Sequence, residues 1–395
     1  MTIVSLVKNP DPAKALADAV ELVGGVELHG TVLIKPNLSC ARPSGSGLVT
    51  NFDVVKAVVR MVASKGAEPV VGDLPILGWD PGKVFDATGI RAIEQAGGRL
   101  LDWRNAHVEI QPADSKVLKK VRIARPAIEA DCIINVPVLK YHFFTHISGG
   151  MKNLFGLVEP DFRPRIHVLG LDEPLVDLYA FLRPKIALNV MDATYIAQSV
   201  RPSGPYYGPT VARSVSKLNM IMVSKDTVAL DSTAARVVQV DPDAVEMVRI
   251  AASRGLGTID PRTIGNARDA SLKIKKDPLG RIIPYAQDAW SNERLNRVSH
   301  PLLRRIYGND VVTLKEARRE MNEADPSSIT IDGHCRQCRL CEKACPVKNI
   351  TLHEAGPIIG NRCIRCFICV EICPDGVLAI ERKGDRAEDK KAEKT

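Results

Sequence analysis

Thr31-Val32-Leu33-Ile34-Lys35-Pro36-Asn37 decides the fold of the longer part of this chain. Its apolar side chains follow one another instead of alternating with polar ones, so both faces of the strand must be covered. Cys132-Ile133-Ile134-Asn135-Val136 and Pro69-Val70-Val71 have the same character, as do residues 3–7, 186–190 and 220–223. Between these runs lie segments of helical spacing: residues 13–23 closing on Gly24-Gly25, residues 54–63 stopped by Gly66, and residues 83–96 stopped by Gly97-Gly98. Buried strands alternating with helices predict an α/β fold over residues 1–260, with a mostly parallel, doubly wound sheet. Residues 100–103 and 117–123 look more local and are expected to form a hairpin insertion.

The C-terminal part is written differently. Cys335-x-x-Cys338-x-x-Cys341-x-x-x-Cys345-Pro346 returns 28 residues later as Cys363-x-x-Cys366-x-x-Cys369-x-x-x-Cys373-Pro374. Ile350 and Leu378 keep the same 28-residue displacement, so the repeat extends to the flanking β-segments. This spacing is the two-cluster bacterial ferredoxin pattern, in which the fourth cysteine of each run ligates the other cluster. The expected cofactors are two 4Fe-4S clusters, one on Cys335, Cys338, Cys341 and Cys373, the other on Cys363, Cys366, Cys369 and Cys345. Zinc fits less well, because its four ligands usually come as two separated pairs. Disulfides belong to small secreted scaffolds, and this chain has 395 residues. A small α+β ferredoxin-like domain is expected over residues 329–382. Residues 261–328, with Pro278, Pro284 and Pro301, read as an irregular or helical connector, and the charged tail 383–395 as disordered.

Composition sets the outer bounds. A chain with 45% hydrophobic and 25% charged residues is ordinary for a globular protein of two or three domains. Cys40 and Cys132 stand apart from the eight motif cysteines and read as small buried apolar residues. Thiolate-bound clusters need a reducing compartment, and neither a signal peptide nor a membrane-spanning apolar stretch is visible, so a cytoplasmic location is expected. The net charge of +8 gathers partly at Arg294, Arg297, Arg304, Arg305, Arg318 and Arg319. Without a nucleic-acid motif or aromatic platforms, this is a solvated face or a docking surface, not a nucleic-acid site.

In an open α/β sheet, ligands bind beyond the carboxyl ends of the strands. Lys35 and Asn37, held extended by Pro36, follow one strand; Asp73 follows a second, and Asp192 a fourth. The third strand runs into Lys140, Tyr141 and His142, and on through His146 to Ser148-Gly149-Gly150-Met151-Lys152-Asn153. Two glycines before a lysine and a helix-like run can cradle an anion, or can simply start a helix. Lys35, Lys140 and Lys152 together suggest a carboxylate or phosphate ligand; each alone could be a surface lysine. On a helix, His142 and His146 would share a face and could hold a metal with Asp73 or Asp192, though a proton-transfer histidine fits better. The loop from Arg201 to Pro209, rich in Gly, Pro and Tyr, is a candidate lid or a tight connection. Asp226 reads as a helix N-cap, and Asp231, one turn in, could face either way. No Gly-x-Gly-x-x-Gly follows a strand, so NAD or flavin binding has no support.

Ile34-Lys35-Pro36-Asn37, Val136 through His142, Gly150-Met151-Lys152-Asn153-Leu154-Phe155-Gly156 and Lys225 through Asp231 resemble a widespread prokaryotic family of unknown function. Its members are described as uncharacterised iron–sulfur centre proteins and are often fused to a bacterial-type ferredoxin. The match is carried most specifically by Lys-x-His and Lys-Asn-Leu-x-Gly, and His142 is the histidine it selects. The resemblance implies the fold and the site, but no settled reaction.

These readings favour an iron–sulfur oxidoreductase in which electrons pass through both clusters to a small anionic ligand. Lys35, Lys140 and His142 would act on it, and Asn37, Asp73, Lys152, Asn153 and Asp192 would bind it. From residue 332 to 382 there are six acidic and seven basic residues, a near-neutral module suited to serving its own fused domain. The alternatives are a non-catalytic electron-transfer adaptor for another redox enzyme and a metallocofactor maturation factor. An electron donor or redox partner protein is expected in each case.

Overall fold

The computed structural model describes residues 2–273 except 77–78, 143–144, 164–165, 167–170, 199, 203–209 and 213–214, and residues 328–381 except 332, 346–348, 361–362, 364–368, 370–372, 374 and 376. Residues 274–327 of the expected connector, the tail, Cys366 and most of the Gly/Pro/Tyr loop lie outside the described residues.

In chain order the α/β strands are β1 (Ile3–Lys8), β2 (Thr31–Pro36), β3 (Glu68–Val71), β4 (Arg99–Leu100), β5 (His107–Ile110), β6 (Val121–Ala124), β7 (Cys132–Val136), β8 (Lys140–His142), β9 (His146–Ser148), β10 (Ile186–Ala197), β11 (Val200–Pro202), β12 (Thr210–Ala212), β13 (Val215–Ser224) and β14 (Arg262–Ile264). Eight of them form one sheet in the order β14-β1-β13-β10-β7-β2-β3-β4. Only β13 runs against its neighbours, so the sheet is mostly parallel, as the continuous apolar runs require. The chain continues past residue 260 in this sheet, because β14 pairs with β1.

Helices cover both faces. Pro12–Leu22, Phe52–Ser64 and Pro81–Thr88 bury Leu16, Val55, Val59 and Phe85 against Ile34, Ile134, Val136 and Val190. Asp172–Leu182, Thr227–Val237 and Glu246–Ser253 cover the other face, around Leu33, Ile133, Met191 and Met222. Asp11, Asn51 and Asp226 each cap a helix start by accepting backbone N–H bonds. Among the described residues no helix is long and apolar enough to cross a membrane.

Three local expectations are corrected. The expected helix over residues 83–96 breaks at Gly89, whose φ of +74° ends Pro81–Thr88 before a 3-10 segment begins. Residues 99–100 pair with β3 at the sheet edge instead of joining a hairpin. Gly98 permits this, since a Cβ there would sit 3.2 Å from Val59. The insertion hairpin is β5 with β6. Finally, His142 and His146 do not lie on a helix. They are cross-strand partners in the β8–β9 hairpin, where His146 takes a φ of +61°.

In the C-terminal domain, β15 (Ser328–Ile331) pairs with β18 (Leu378–Glu381), and β16 (Ile350–His353) with β17 (Gly356–Ile359). Both pairings are antiparallel and use the flanking segments that the repeat marks.

Candidate functional site

The site begins with a charge that apolar surroundings would reject if it stood alone. Lys35 ends β2 with no solvent exposure, and its Nζ lies 2.7 Å from Asp73 Oδ1, just beyond β3. The Asp73 carboxylate also accepts the backbone N–H groups of Leu38 (2.6 Å) and Leu74 (2.9 Å). Lys35 Nζ donates further to the Pro36 carbonyl at 2.8 Å. Burial lowers the Lys35 pKa, and Asp73 opposes that shift. Gly156 closes over the pair: a Cβ there would fall 2.1 Å from Asp73 Oδ1 and 2.7 Å from Lys35 Nζ. That is the physical demand behind the glycine of Lys-Asn-Leu-x-Gly.

Asparagines join this pair to the next strand end. Asn153 Oδ1 lies 3.2 Å from Asn37 Nδ2 and 3.5 Å from Lys35 Nζ. Asn37 Oδ1 accepts from Lys140 Nζ at 3.3 Å, and Lys140 also donates to the Leu48 carbonyl at 2.6 Å and Ser39 Oγ at 3.3 Å. Lys35, Asn37, Asp73, Lys140 and Asn153 therefore form one buried network at the carboxyl ends of β2, β3 and β7, although they are scattered over more than 100 residues of sequence. Burial pulls Lys140 down to about 8.

Two asparagines that sequence reasoning passed over complete the floor. Lys35, Asn135 and Asn189 stand side by side in β2, β7 and β10, and Asn189 stands opposite Ser224 in β13. Asn135 donates to the Gly150 carbonyl and to Asn189 Oδ1, both at 3.0 Å, and accepts from Asn153 Nδ2 at 2.9 Å. This polar row docks the short helix Gly150–Asn153 on the sheet. Asp231 fixes the same helix from behind, accepting the Gly150 and Met151 N–H groups, and burial raises its pKa to about 7. The available signal was a lone Asn within an apolar run, a residue type that strands disfavour.

The remaining candidates sit around this network. Asp192 is buried one layer away, where it accepts from Asn51 N at 2.7 Å and Thr194 N at 2.8 Å. Thr50 connects the layers, because its Oγ1 accepts from Asn37 N and donates to the Val136 carbonyl, both at 2.8 Å. Lys152 is half-buried, with its Nζ 5.9 Å from the Phe155 ring centre, and burial lowers its pKa to about 8 while Asp172 opposes the shift. His142 Nδ1 accepts the Thr145 N–H at 3.3 Å, which leaves the neutral ring's proton on Nε2. The histidine pair is not gathered with Asp73 or Asp192: among the described residues no three His, Cys, Asp or Glu side chains close on a single metal ion.

The cysteine domain has a thiol-only donor set packed as a core. Cys341 and Cys369 are buried with Ile350, Val377 and Leu378, and Cys335, Cys345 and Cys373 pack against them. Among the described residues every cysteine is a free thiol. Cys341 lies within electrostatic reach of both Cys335 and Cys373, one from each run. Cys335 Sγ accepts the Gln337 N–H at 3.4 Å and Cys345 Sγ the Asn349 N–H at 3.3 Å. Gln337 and Arg339, each with a φ of +58°, curl the backbone of the first run. Free thiols in an apolar pocket with amides directed at sulfur fit an iron–sulfur cluster.

Residues 32–236 match a family model described as domain of unknown function (DUF362), and residues 334–378 match one described as a 4Fe-4S dicluster domain. The first match spans every α/β site residue named above, and the second spans all eight motif cysteines. The chain is 28% identical over 249 residues to the thylakoid-associated protein sll1697 of Synechocystis sp., covering 58% of this chain and 71% of that one. Among solved structures it is similar to the lactate racemase apoprotein of Thermoanaerobacterium thermosaccharolyticum, with 14% identity and a TM-score of 0.37. That match covers 60% of this chain and 57% of the racemase chain.

Proposed function

The chain belongs to the DUF362 family and ends in a 4Fe-4S dicluster domain, and from that premise we propose an iron–sulfur oxidoreductase that passes electrons to a small anionic ligand at the carboxyl edge of its α/β sheet. One observation carries this reading: two buried ammonium groups, Lys35 and Lys140, lie within reach of the buried carboxylate of Asp73, which pairs with Lys35. The two lysines feel each other's charge, and Lys140 donates to the neutral oxygens of Asn37, Ser39 and Leu48. An excess positive charge in a dry site is stabilised by an anion and costs free energy without one.

Lys35 and Asp73 brace the floor, Asn37 and Asn153 orient the ligand, and Lys140 and Lys152 supply charge. Asp192 holds the Asn51 end of the site. His142, with its ring proton on Nε2, moves a proton at the rim. Cys335, Cys338, Cys341 and Cys373 would hold one cluster, and Cys363, Cys366, Cys369 and Cys345 the other. When bound, the clusters supply one-electron transfer.

Anaerobic purification, iron and sulfide analysis, and mass spectrometry of the co-purified ligand test the proposal. About eight iron and eight sulfide per chain are expected, with an anionic small molecule retained. Lys152→Ala should weaken retention with both clusters intact, and His142→Ala should cost turnover more than binding. Zinc in place of iron, or unchanged anion retention in Lys140→Met and Lys152→Ala, would overturn the reading.

A further inference from the structure

Because the two runs repeat at 28 residues, every residue beside one run has a counterpart beside the other. Arg336, Arg339 and Glu342 of the first run correspond to Ile364, Phe367 and Val370 of the second. Asp375, two residues past Cys373, corresponds to Val347. At the first three of these positions charge stands beside the first run and an apolar residue beside the second, whose own charges, Arg362, Arg365 and Glu371, fall at other places in the repeat.

The geometry joins two of these charges. Arg336 grips Asp375 with both prongs of its guanidinium, Nε to Oδ2 at 2.8 Å and Nη2 to Oδ1 at 2.6 Å. Arg336 directly follows Cys335 in the first run, and Asp375 follows the last cysteine of the second. Arg336 also lies within electrostatic reach of Cys338 and Cys373. The pair therefore sits where the two runs cross, and Ile364 and Val347 cannot form an equivalent.

We infer that the Arg336–Asp375 pair tunes the reduction potential of the cluster on Cys335, Cys338, Cys341 and Cys373, Arg336 raising it and Asp375 lowering it, with no equivalent pair at the matching positions of the other run. The inference rests on the dicluster reading and on Cys373 serving the first run. Reduction adds an electron to a cluster already surrounded by thiolates. A fixed positive charge nearby favours the reduced form, a fixed negative charge opposes it, and apolar surroundings penalise the added charge. Both side chains of the pair are partly exposed, so the effect must weaken as salt rises.

The test is an anaerobic redox titration of the reconstituted full chain, followed by electron paramagnetic resonance, at low and high salt. Two separable midpoints are expected in the wild type. Arg336→Gln should lower one midpoint and Asp375→Asn should raise that same midpoint, with the other unmoved in both. A pair that served only to hold the loop would shift both variants the same way, and that result overturns the inference. Equal shifts of both midpoints, or none, overturn it as well. If Arg336→Gln loses the cluster outright, Arg336→Lys keeps the charge without the fork, and the midpoint that Asp375→Asn raises should stay near wild type in it; a lowered one counts against the proposal. A wild-type chain holding fewer than two clusters by iron and sulfide analysis would instead fail the dicluster reading itself.

Discussion

Lys35 Nζ and Asp73 Oδ1 meet at 2.7 Å between the ends of two adjacent parallel strands, with side-chain exposures of 0% and 3%. Neither charge has water to fall back on. Replacing one partner strands the other, which costs roughly 3–5 kcal/mol. Lys35→Met and Asp73→Leu should each lower stability by about that much in urea unfolding followed by circular dichroism. The double variant should recover most of the loss, and additive losses would mean the pair is not the unit it looks like.

Gly156 gives a second way to disturb the same pair without touching either charge. The backbone there is not strained, so the whole effect of Gly156→Ala is the methyl group pressing on Asp73 and Lys35. Overpacking of this kind costs about 1–3 kcal/mol. The loss should shrink in a Lys35→Met/Asp73→Leu background, measured by the same unfolding experiment.

Lys140 makes stability depend on pH in an unusual direction. Its folded pKa is about 8, lowered by burial from the ordinary 10.5, so between those values the unfolded chain holds a proton that the folded chain has lost. Stability from this group therefore rises as pH increases through that window. Lys140→Met should flatten that part of the profile. Anion binding should show the opposite trend, weakening as pH passes about 8, and a titration of affinity against pH checks it.

Cys373 tests the crossing of the two runs. Cys373→Ala should remove the first-run cluster and leave the second, so iron should fall to about four per chain. A surviving first-run signal, with the second lost, would mean each run serves its own cluster.

How far the sequence could be read depended on how far a residue's neighbours were encoded locally. Lys35, Asn37, Asp73 and Lys140 were legible because each follows an apolar run, and strand ends in a parallel sheet converge. The cysteine spacing is local for the same reason. Asn135 and Asn189 were not, because their meaning lies in lateral neighbours 54 residues apart. The His142–His146 spacing fits a helix and a hairpin equally well, and only strand pairing decides between them. The 28-residue repeat was visible at once, yet its departures, such as Arg336 against Ile364, matter only once Asp375 is seen to lie across from one of them.

The row of Lys35, Asn135, Asn189 and Ser224 has a consequence for how the chain finds its fold. Strands that are apolar on both faces are nearly indifferent to sliding: Val32, Leu33 and Ile34 could trade places against Ile133 and Ile134 with little loss. One polar residue per strand ends that freedom. A slip of one position in β2 would turn the Lys35 ammonium towards Val136 and Val190 and away from its partner Asp73. The row thus acts as an alignment mark in an otherwise featureless interior, making mispaired sheets costly while the correct one is still assembling.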